Sequence, residues 1–132
     1  MNDFDWQEFL RTAKEIFERV KNLQQITMSD EAICRIGISR AYYAVFHQAA
    51  LLVDSDLHTG GVHERVILAL RSSSDKIIRQ IGNDLNALRK MRIRADYDSR
   101  RYPPRGLDCN AVLELQLAIN YAETINNKIN LL

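Results

Sequence analysis

Apolar residues recur at steps of three and four along most of the chain, the spacing that places them on one face of an α-helix. This spacing predicts helices over residues 3–23, 30–53 and 62–70, a fourth that begins after the serines at 72–74, and a fifth from about residue 108 to near the C-terminus. Signals for β-strands are few. Four long amphipathic helices with short connections can bury their apolar stripes only against one another. The pattern therefore predicts an all-α protein, an up-and-down bundle of four long helices plus one short helix.

Polar residues, glycines and prolines mark the expected helix ends. The side chains expected to cap the helices are Asn2 or Asp3, Ser29, one of the serines at 72–74, and Asp108. Each can accept a hydrogen bond from a free amide group of a first turn. Gly60 and Gly61 lie in the break before the third helix, where they permit backbone angles that other residues avoid. Pro103 and Pro104 stop the fourth helix before Tyr102.

Length and composition indicate one globular domain over residues 1–132. The chain has 132 residues, the size of a single domain, and its 46% hydrophobic and 27% charged residues are enough to build a core. No apolar run reaches the roughly 18 residues of a membrane span, and the N-terminus is acidic, so we expect a cytoplasmic protein. Cys34 and Cys109 lack the spacing of a disulfide or metal framework, which predicts two reduced thiols.

Positive charge is concentrated in residues 88–106, although the whole chain carries a net charge of only +1. Asp96 and Asp98 are the carboxylates that oppose this charge. Guanidinium groups contact phosphates and tyrosine rings stack on unpaired bases, so the segment suits RNA. The expected RNA contacts are Arg89, Lys90, Arg94, Arg100, Arg101, Arg105 and Tyr102. The alternative is an ordinary solvated helix face.

Arg92 interrupts the apolar seam of the fourth helix. The seam reads Ile78, Ile81, Leu85, Leu88, position 92 and Ala95. A permanently charged guanidinium on such a seam needs a carboxylate, a water-filled cleft or an anionic ligand. Two interpretations stay open: a structural ion pair with Asp96 one turn later, or a site that binds an anion.

The second helix carries a further polar face, formed by Arg40, Tyr43 and His47 at spacings of three and four. This face either lines a cleft or is a polar rim whose groups satisfy one another. His58 and His63 flank the glycine pair, but two histidines without an acidic or cysteine cluster make a poor metal site. We therefore expect no metal and no cofactor.

Three stretches of the chain resemble the HEPN family: Ser-Arg-Ala-Tyr-Tyr-Ala-Val-Phe-His at residues 39–47, Gly-Gly-Val-His at 60–63, and Leu-Arg-Lys-Met-Arg-Ile-Arg-Ala-Asp-Tyr-Asp at 88–98. The resemblance extends from the second helix to the last and is greatest to a small branch with a RxRADYD-like sequence. It implies a bundle of four to five helices that dimerises and brings two motif regions into one basic cleft. Many HEPN proteins are metal-independent ribonucleases of toxin–antitoxin, CRISPR-linked or other defence systems.

The ribonuclease motif of that family is an arginine, four to six residues, and then a histidine. Arg92 matches the arginine, but four intervening residues lead to Tyr97, and no histidine follows His63 in the sequence. A tyrosine, with an ordinary pKa of about 10, is poorly suited to take the proton of a 2′-hydroxyl. It can still position a phosphate or stack on a base.

Two functions follow from the resemblance, and a third follows from the ion-pair interpretation of Arg92. The first is an RNA-binding or interaction module with weak or no catalysis, a homodimer that acts beside a nucleotidyltransferase-type partner in a toxin–antitoxin or defence system. The second is a metal-independent endoribonuclease in which Arg92 stabilises charge on the phosphate and Tyr97 or His47 assists proton transfer. The third is a purely structural dimerisation module whose Arg92 is held in an internal ion pair. We favour the first function, with Arg92 and Tyr97 at its centre.

Overall fold

The structure is a computed structural model that describes residues 3–53 and 60–132. Within these ranges the chain forms five α-helices and no β-strand, so the predicted all-α class is confirmed. The helices are α1 (Gln7–Val20), α2 (Met28–Ala50), α3 (Val62–Arg71), α4 (Lys76–Tyr97) and α5 (Ala111–Asn130). The predicted cap Asn2 and the loop histidine His58 lie outside the described residues.

Helix α2 begins two residues earlier than predicted because Thr27, and not Ser29, is its cap. Thr27 Oγ1 accepts a hydrogen bond from the backbone N–H of Asp30 at 3.1 Å. In return, Asp30 Oδ2 accepts one from the backbone N–H of Thr27 at 2.9 Å. This reciprocal capping box satisfies two amide groups at once. The helix ends at Ala50, three residues before the predicted end.

The other predicted caps are wrong by a few residues. Helix α1 begins at Gln7, whose backbone N–H donates to the carboxylate of Asp5. Helix α4 is capped by Asp75 and not by a serine of 72–74, and α5 is capped by Asn110 and not by Asp108. In both cases one side-chain oxygen accepts hydrogen bonds from two backbone N–H groups of the first turn. A side chain placed farther from the helix start does not reach both groups.

Helix α2 packs against α1, α4 and α5, and α3 packs on α4. The buried faces of all five helices contribute to one hydrophobic cluster. The predicted seam of α4 is buried at Ile81, Leu85, Leu88 and Ala95. Arg92 lies on the same face of α4, at the margin of this core.

The segment that follows α4 is attached to α2 through a buried carboxylate. Glu31 is 5% exposed and accepts hydrogen bonds from Arg35 Nε at 3.2 Å, from Arg101 Nε at 2.9 Å and from the backbone N–H of Tyr102 at 3.1 Å. Burial alone would raise the pKa of Glu31, but these hydrogen bonds outweigh it and lower the pKa below its usual value. The ionised carboxylate therefore holds the chain between α4 and α5 in place.

Arg35 completes this attachment at the C-terminal end of α4. Its Nη1 donates to the carbonyl oxygens of Ala95 at 3.2 Å and Asp98 at 2.6 Å, and its Nη2 donates to that of Arg100 at 2.6 Å. Carbonyls at a helix C-terminus lack partners within the helix and carry partial negative charge, so a guanidinium stabilises them. The same guanidinium lies 4.9 Å from the centre of the Tyr102 ring.

Candidate nucleic-acid interface

Arg92 forms the ion pair with Asp96 that one interpretation of the sequence anticipates. Arg92 Nε lies 2.8 Å from Asp96 Oδ2, and Ser39 Oγ of α2 donates to the same carboxylate oxygen at 3.1 Å. The N–H bond of Arg92 Nε does not point at that oxygen, and in the described part of the chain it meets no hydrogen-bond acceptor. The contact is therefore electrostatic, and the side chain, at 12% exposure, is largely but not completely enclosed.

Three tyrosines surround the Arg92 guanidinium. Its Cζ atom lies 5.1 Å from the Tyr43 ring centre, 5.3 Å from that of Tyr97 and 6.0 Å from that of Tyr42. Arg92 Nη2 also donates to the Tyr97 hydroxyl at 3.4 Å. Tyr97 is 71% exposed, so the enclosed arginine reaches the protein surface along this ring.

His63 of α3 joins this cluster, a placement that the sequence analysis missed. Its Nδ1 lies 2.7 Å from the Tyr42 hydroxyl, and its ring centre is 4.4 Å from that of Phe46. Burial, with smaller contributions from the charges of Arg92 and Arg89, lowers the pKa of His63 below its usual value. The sequence separates His63 from Arg92 by almost thirty positions, so no linear motif could have joined them.

Arg89 lies one turn before Arg92 on α4. Its Nη2 is 3.9 Å from the carboxylate of Glu64, whose own side chain is 76% exposed. Its Nε is buried and, among the described residues, meets no hydrogen-bond acceptor. The guanidinium of Arg89 is thus only weakly neutralised, and its charge acts on both Tyr42 and His63.

A groove of about 730 Å³ lies at the C-terminal end of α4, and we call it the basic groove. It is lined by Lys90, Ile93, Arg94, Tyr97, Asp98, Arg100, Arg101 and Pro103. Four cations and one carboxylate thus surround an exposed tyrosine ring. Four of the predicted RNA-contacting residues come together here with Tyr97.

The cations of the basic groove differ in how many contacts they already make with other groups of the protein. Arg100 pairs with Asp98 at 2.9 Å, which lowers the pKa of that carboxyl well below its usual range, yet the Arg100 side chain is 87% exposed. Arg101 binds Glu31 from an accessible position, and the Arg94 guanidinium lies 4.1 Å from the Tyr102 ring centre. Lys90 is exposed, and no carboxylate pairs with it in the described ranges.

Tyr102 and Arg105 lie away from the basic groove. Tyr102 is 6% exposed, and its ring contacts the guanidinium groups of Arg35 and Arg94. Burial raises the pKa of Tyr102 to about 12. Arg105 donates to the carbonyl oxygens of Lys21 and Leu23, in the connection between α1 and α2. Both side chains hold the chain between α4 and α5 in place, and neither is available to contact an RNA strand in the basic groove.

The polar face of α2 divides between two neighbourhoods. Arg40 lies 4.8 Å from the Phe9 ring centre, and His47 stacks on Trp6 with ring centres 3.7 Å apart, so both contact the N-terminal region. Burial lowers the pKa of His47. Tyr43 alone of the three lies against Arg92.

Arg35 is a second residue that the sequence analysis missed, although a signal for it was present. It precedes Ile38, Tyr42, Val45 and Ala49 at the same steps of three and four that define the apolar stripe of α2. An arginine on that stripe raises the same question as Arg92 on α4. In the structure, the Arg35 guanidinium donates hydrogen bonds to Glu31 and to carbonyl oxygens at the end of α4.

Comparison with known protein families, with curated proteins and with solved structures finds no match to this chain. Within residues 3–53 and 60–132, no helix has both the length and the apolar character needed to cross a bilayer. In the same ranges, no three histidine, cysteine, aspartate or glutamate side chains gather as a potential metal site. The geometry around Arg92 and the basic groove is therefore the basis on which a function can be argued.

Proposed function

We propose that the protein is a HEPN-like RNA-binding or interaction module of a toxin–antitoxin or defence system, with weak or no catalysis. In this proposal the helices form an up-and-down bundle, and the basic groove binds the backbone of single-stranded RNA. The protein acts as a homodimer beside a nucleotidyltransferase-type partner, as the resemblance to HEPN proteins implies.

The observation that carries the proposal is the composition of the basic groove. Lys90, Arg94, Arg100 and Arg101 line it around Tyr97, whose ring is 71% exposed. Cations that track a phosphate backbone, combined with an aromatic platform for a base, are the usual means of binding single strands. Stacking of one base on such a ring contributes about 1–3 kcal/mol.

Weak or absent catalysis is supported by the surroundings of the candidate proton-transfer groups. His47 stacks on Trp6 of the N-terminal region, whereas of the polar face of α2 it is Tyr43 that lies against Arg92. The alternative is a metal-independent endoribonuclease that uses Arg92 with Tyr97 or His47, and the contact of 3.4 Å between Arg92 and Tyr97 favours the first of these pairs.

The test of RNA binding is the affinity for a short, labelled single-stranded RNA, measured by fluorescence anisotropy. We expect Lys90→Ala and Arg100→Ala each to weaken binding by up to about fivefold, since an exposed charge contact contributes up to about 1 kcal/mol. Lys76→Ala, at the opposite end of α4, is the matched control and leaves the affinity unchanged. Equal affinities for all three variants and the wild type would contradict the proposal.

The alternatives give different results in the same samples. Incubation of the RNA in EDTA leaves it intact if the protein only binds, whereas a metal-independent ribonuclease yields products with a cyclic phosphate. A purely structural module, in which the Arg92–Asp96 pair serves only the fold, has no affinity for the RNA at all.

A further inference from the structure

A core tyrosine sets the orientation of His63. Tyr42 is fully buried, and burial raises the pKa of its hydroxyl, so this group keeps its proton. Within the described structure the hydroxyl has one hydrogen-bond partner, Nδ1 of His63 at 2.7 Å. A buried hydroxyl donates where an acceptor is present, so the Tyr42 O–H donates to Nδ1. The proton of the neutral imidazole is then on Nε2.

The surroundings of His63 keep the ring neutral near pH 7. Among the described residues, the groups that act on it are Arg89 and Arg92 of α4 and Tyr42, Tyr43 and His47 of α2. Glu64, the next residue of α3, has its carboxylate 3.9 Å from Arg89 Nη2. In the described ranges, no carboxylate oxygen lies within ion-pair distance of the His63 ring. Burial and the two cations lower the pKa of His63. The side chain is therefore a neutral hydrogen-bond donor through Nε2.

His63 and the Arg92 guanidinium border the same tyrosine, and the charge of Arg89 acts on His63 as well. The Tyr43 ring centre lies 6.0 Å from that of His63 and 5.1 Å from Arg92 Cζ. Arg89 Nε is buried and meets no acceptor among the described residues, whereas Arg92 Nε lies 2.8 Å from Asp96 Oδ2 in a geometry unsuited to a hydrogen bond. A buried donor without an acceptor is rare, and a bound anion would supply the acceptor that Arg89 Nε lacks.

We propose that the Nε2–H of His63 and the guanidinium groups of Arg89 and Arg92 form a subsite that binds one phosphodiester of single-stranded RNA. The inference rests on the proposed function: the basic groove binds the strand, and this subsite fixes one of its phosphates. A phosphodiester is an anion that only accepts hydrogen bonds, so it matches a cluster of donors. Because Nε2 already carries a proton, His63 does not take one from a 2′-hydroxyl, which agrees with weak or absent cleavage.

Two substitutions of His63 distinguish a side chain that donates a hydrogen bond to the phosphate from one that accepts a proton. In His63→Gln the side-chain amide keeps an N–H group near the place of Nε2, whereas His63→Ala removes it. We expect His63→Ala to weaken RNA binding by about tenfold or more, because a hydrogen bond to a charged group contributes about 1.5–3 kcal/mol. His63→Gln retains most of the affinity, and Lys76→Ala again serves as the control. Equal affinities of wild type and His63→Ala would overturn the inference.

The tautomer of His63 is measured independently of any variant by two-bond ¹H–¹⁵N correlation spectra of the free wild-type protein. We expect the Nε2-protonated neutral form near pH 7, and the Nδ1-protonated form or an imidazolium would overturn the inference. If the wild type does not bind RNA, the proposed function fails together with the subsite. If the wild type binds RNA and Lys90→Ala weakens it while His63→Ala does not, only the subsite fails.

Discussion

Replacing Arg35 with alanine is expected to release the segment that follows α4. Arg35 bonds Glu31 within α2 and donates to three carbonyl oxygens at and beyond the C-terminal end of α4 at 3.2 Å or less. Its side chain is 18% exposed and that of Glu31 is 6% exposed, so water replaces these bonds only in part. The substitution leaves carbonyl oxygens without a donor and removes one of the two cations beside a buried carboxylate.

The magnitude follows from the number and type of these bonds. Removal of one partner of a buried ion pair costs about 3–5 kcal/mol, and a single hydrogen bond to a charged group contributes about 1.5–3 kcal/mol. Because Arg101 still neutralises Glu31, we expect Arg35→Ala to lower the free energy of unfolding by about 3–4 kcal/mol. For a domain of this size, that corresponds to a fall in Tm on the order of 10 °C.

Urea denaturation monitored by circular dichroism measures this loss, with Arg11→Ala as the control. Arg11 pairs with Glu8 at the surface, and its side chain is 66% exposed, so its removal changes stability by less than about 0.5 kcal/mol. A loss below about 1 kcal/mol for Arg35→Ala would refute the assignment of Arg35 as the group that holds this segment, because such a value is typical of a surface contact.

Two further predictions concern stability. The pKa of Glu31 is lowered in the folded protein, so its stabilisation is present above the pKa of the unfolded chain, about 4.3, and is lost as the pH falls through the folded pKa. Urea denaturation at several pH values in this acid range should therefore show a smaller loss of unfolding free energy for Glu31→Gln than for the wild type. Parallel curves of unfolding free energy against pH for the two proteins would contradict this. A Cβ on Gly82 would lie 2.8 Å from Leu70 Cβ and 2.9 Å from the backbone N of Arg71. Gly82→Ala should thus cost about 1–3 kcal/mol in the same assay, whereas Gly60→Ala, which meets open space, should not; equal effects would argue against close α3–α4 packing.

The sequence predicted which segments are helical more accurately than where they start. Apolar residues spaced three and four apart extend over whole helices, so α4 and its buried stripe from Ile81 to Ala95 could be predicted directly from the sequence. A helix start depends on which of several neighbouring polar residues reaches the free amide groups. Thr27 and not Ser29 caps α2 because Asp30, three residues after Thr27, returns a second hydrogen bond. This capping-box spacing is present in the sequence, but the sequence analysis did not use it.

The candidate site was predicted where it is local in sequence and missed where it is not. The Arg92–Asp96 pair spans one helical turn, and the basic groove is built mainly from one continuous segment. His63 comes from α3, and its interaction with Tyr42 depends on how α2 and α3 each pack against α4. Tyr102 shows the opposite case, because its position beside arginines suggested an RNA contact and the fold buries it under Arg35 and Arg94.

The most direct test of the central claim is the salt dependence of binding between the wild-type protein and a short single-stranded RNA. Each phosphate contact contributes about −0.7 to the slope of log K against log salt concentration. With three to four cations of the basic groove in contact, the account predicts a slope of about −2 to −3. A slope near zero, or no measurable binding at low salt, would contradict it.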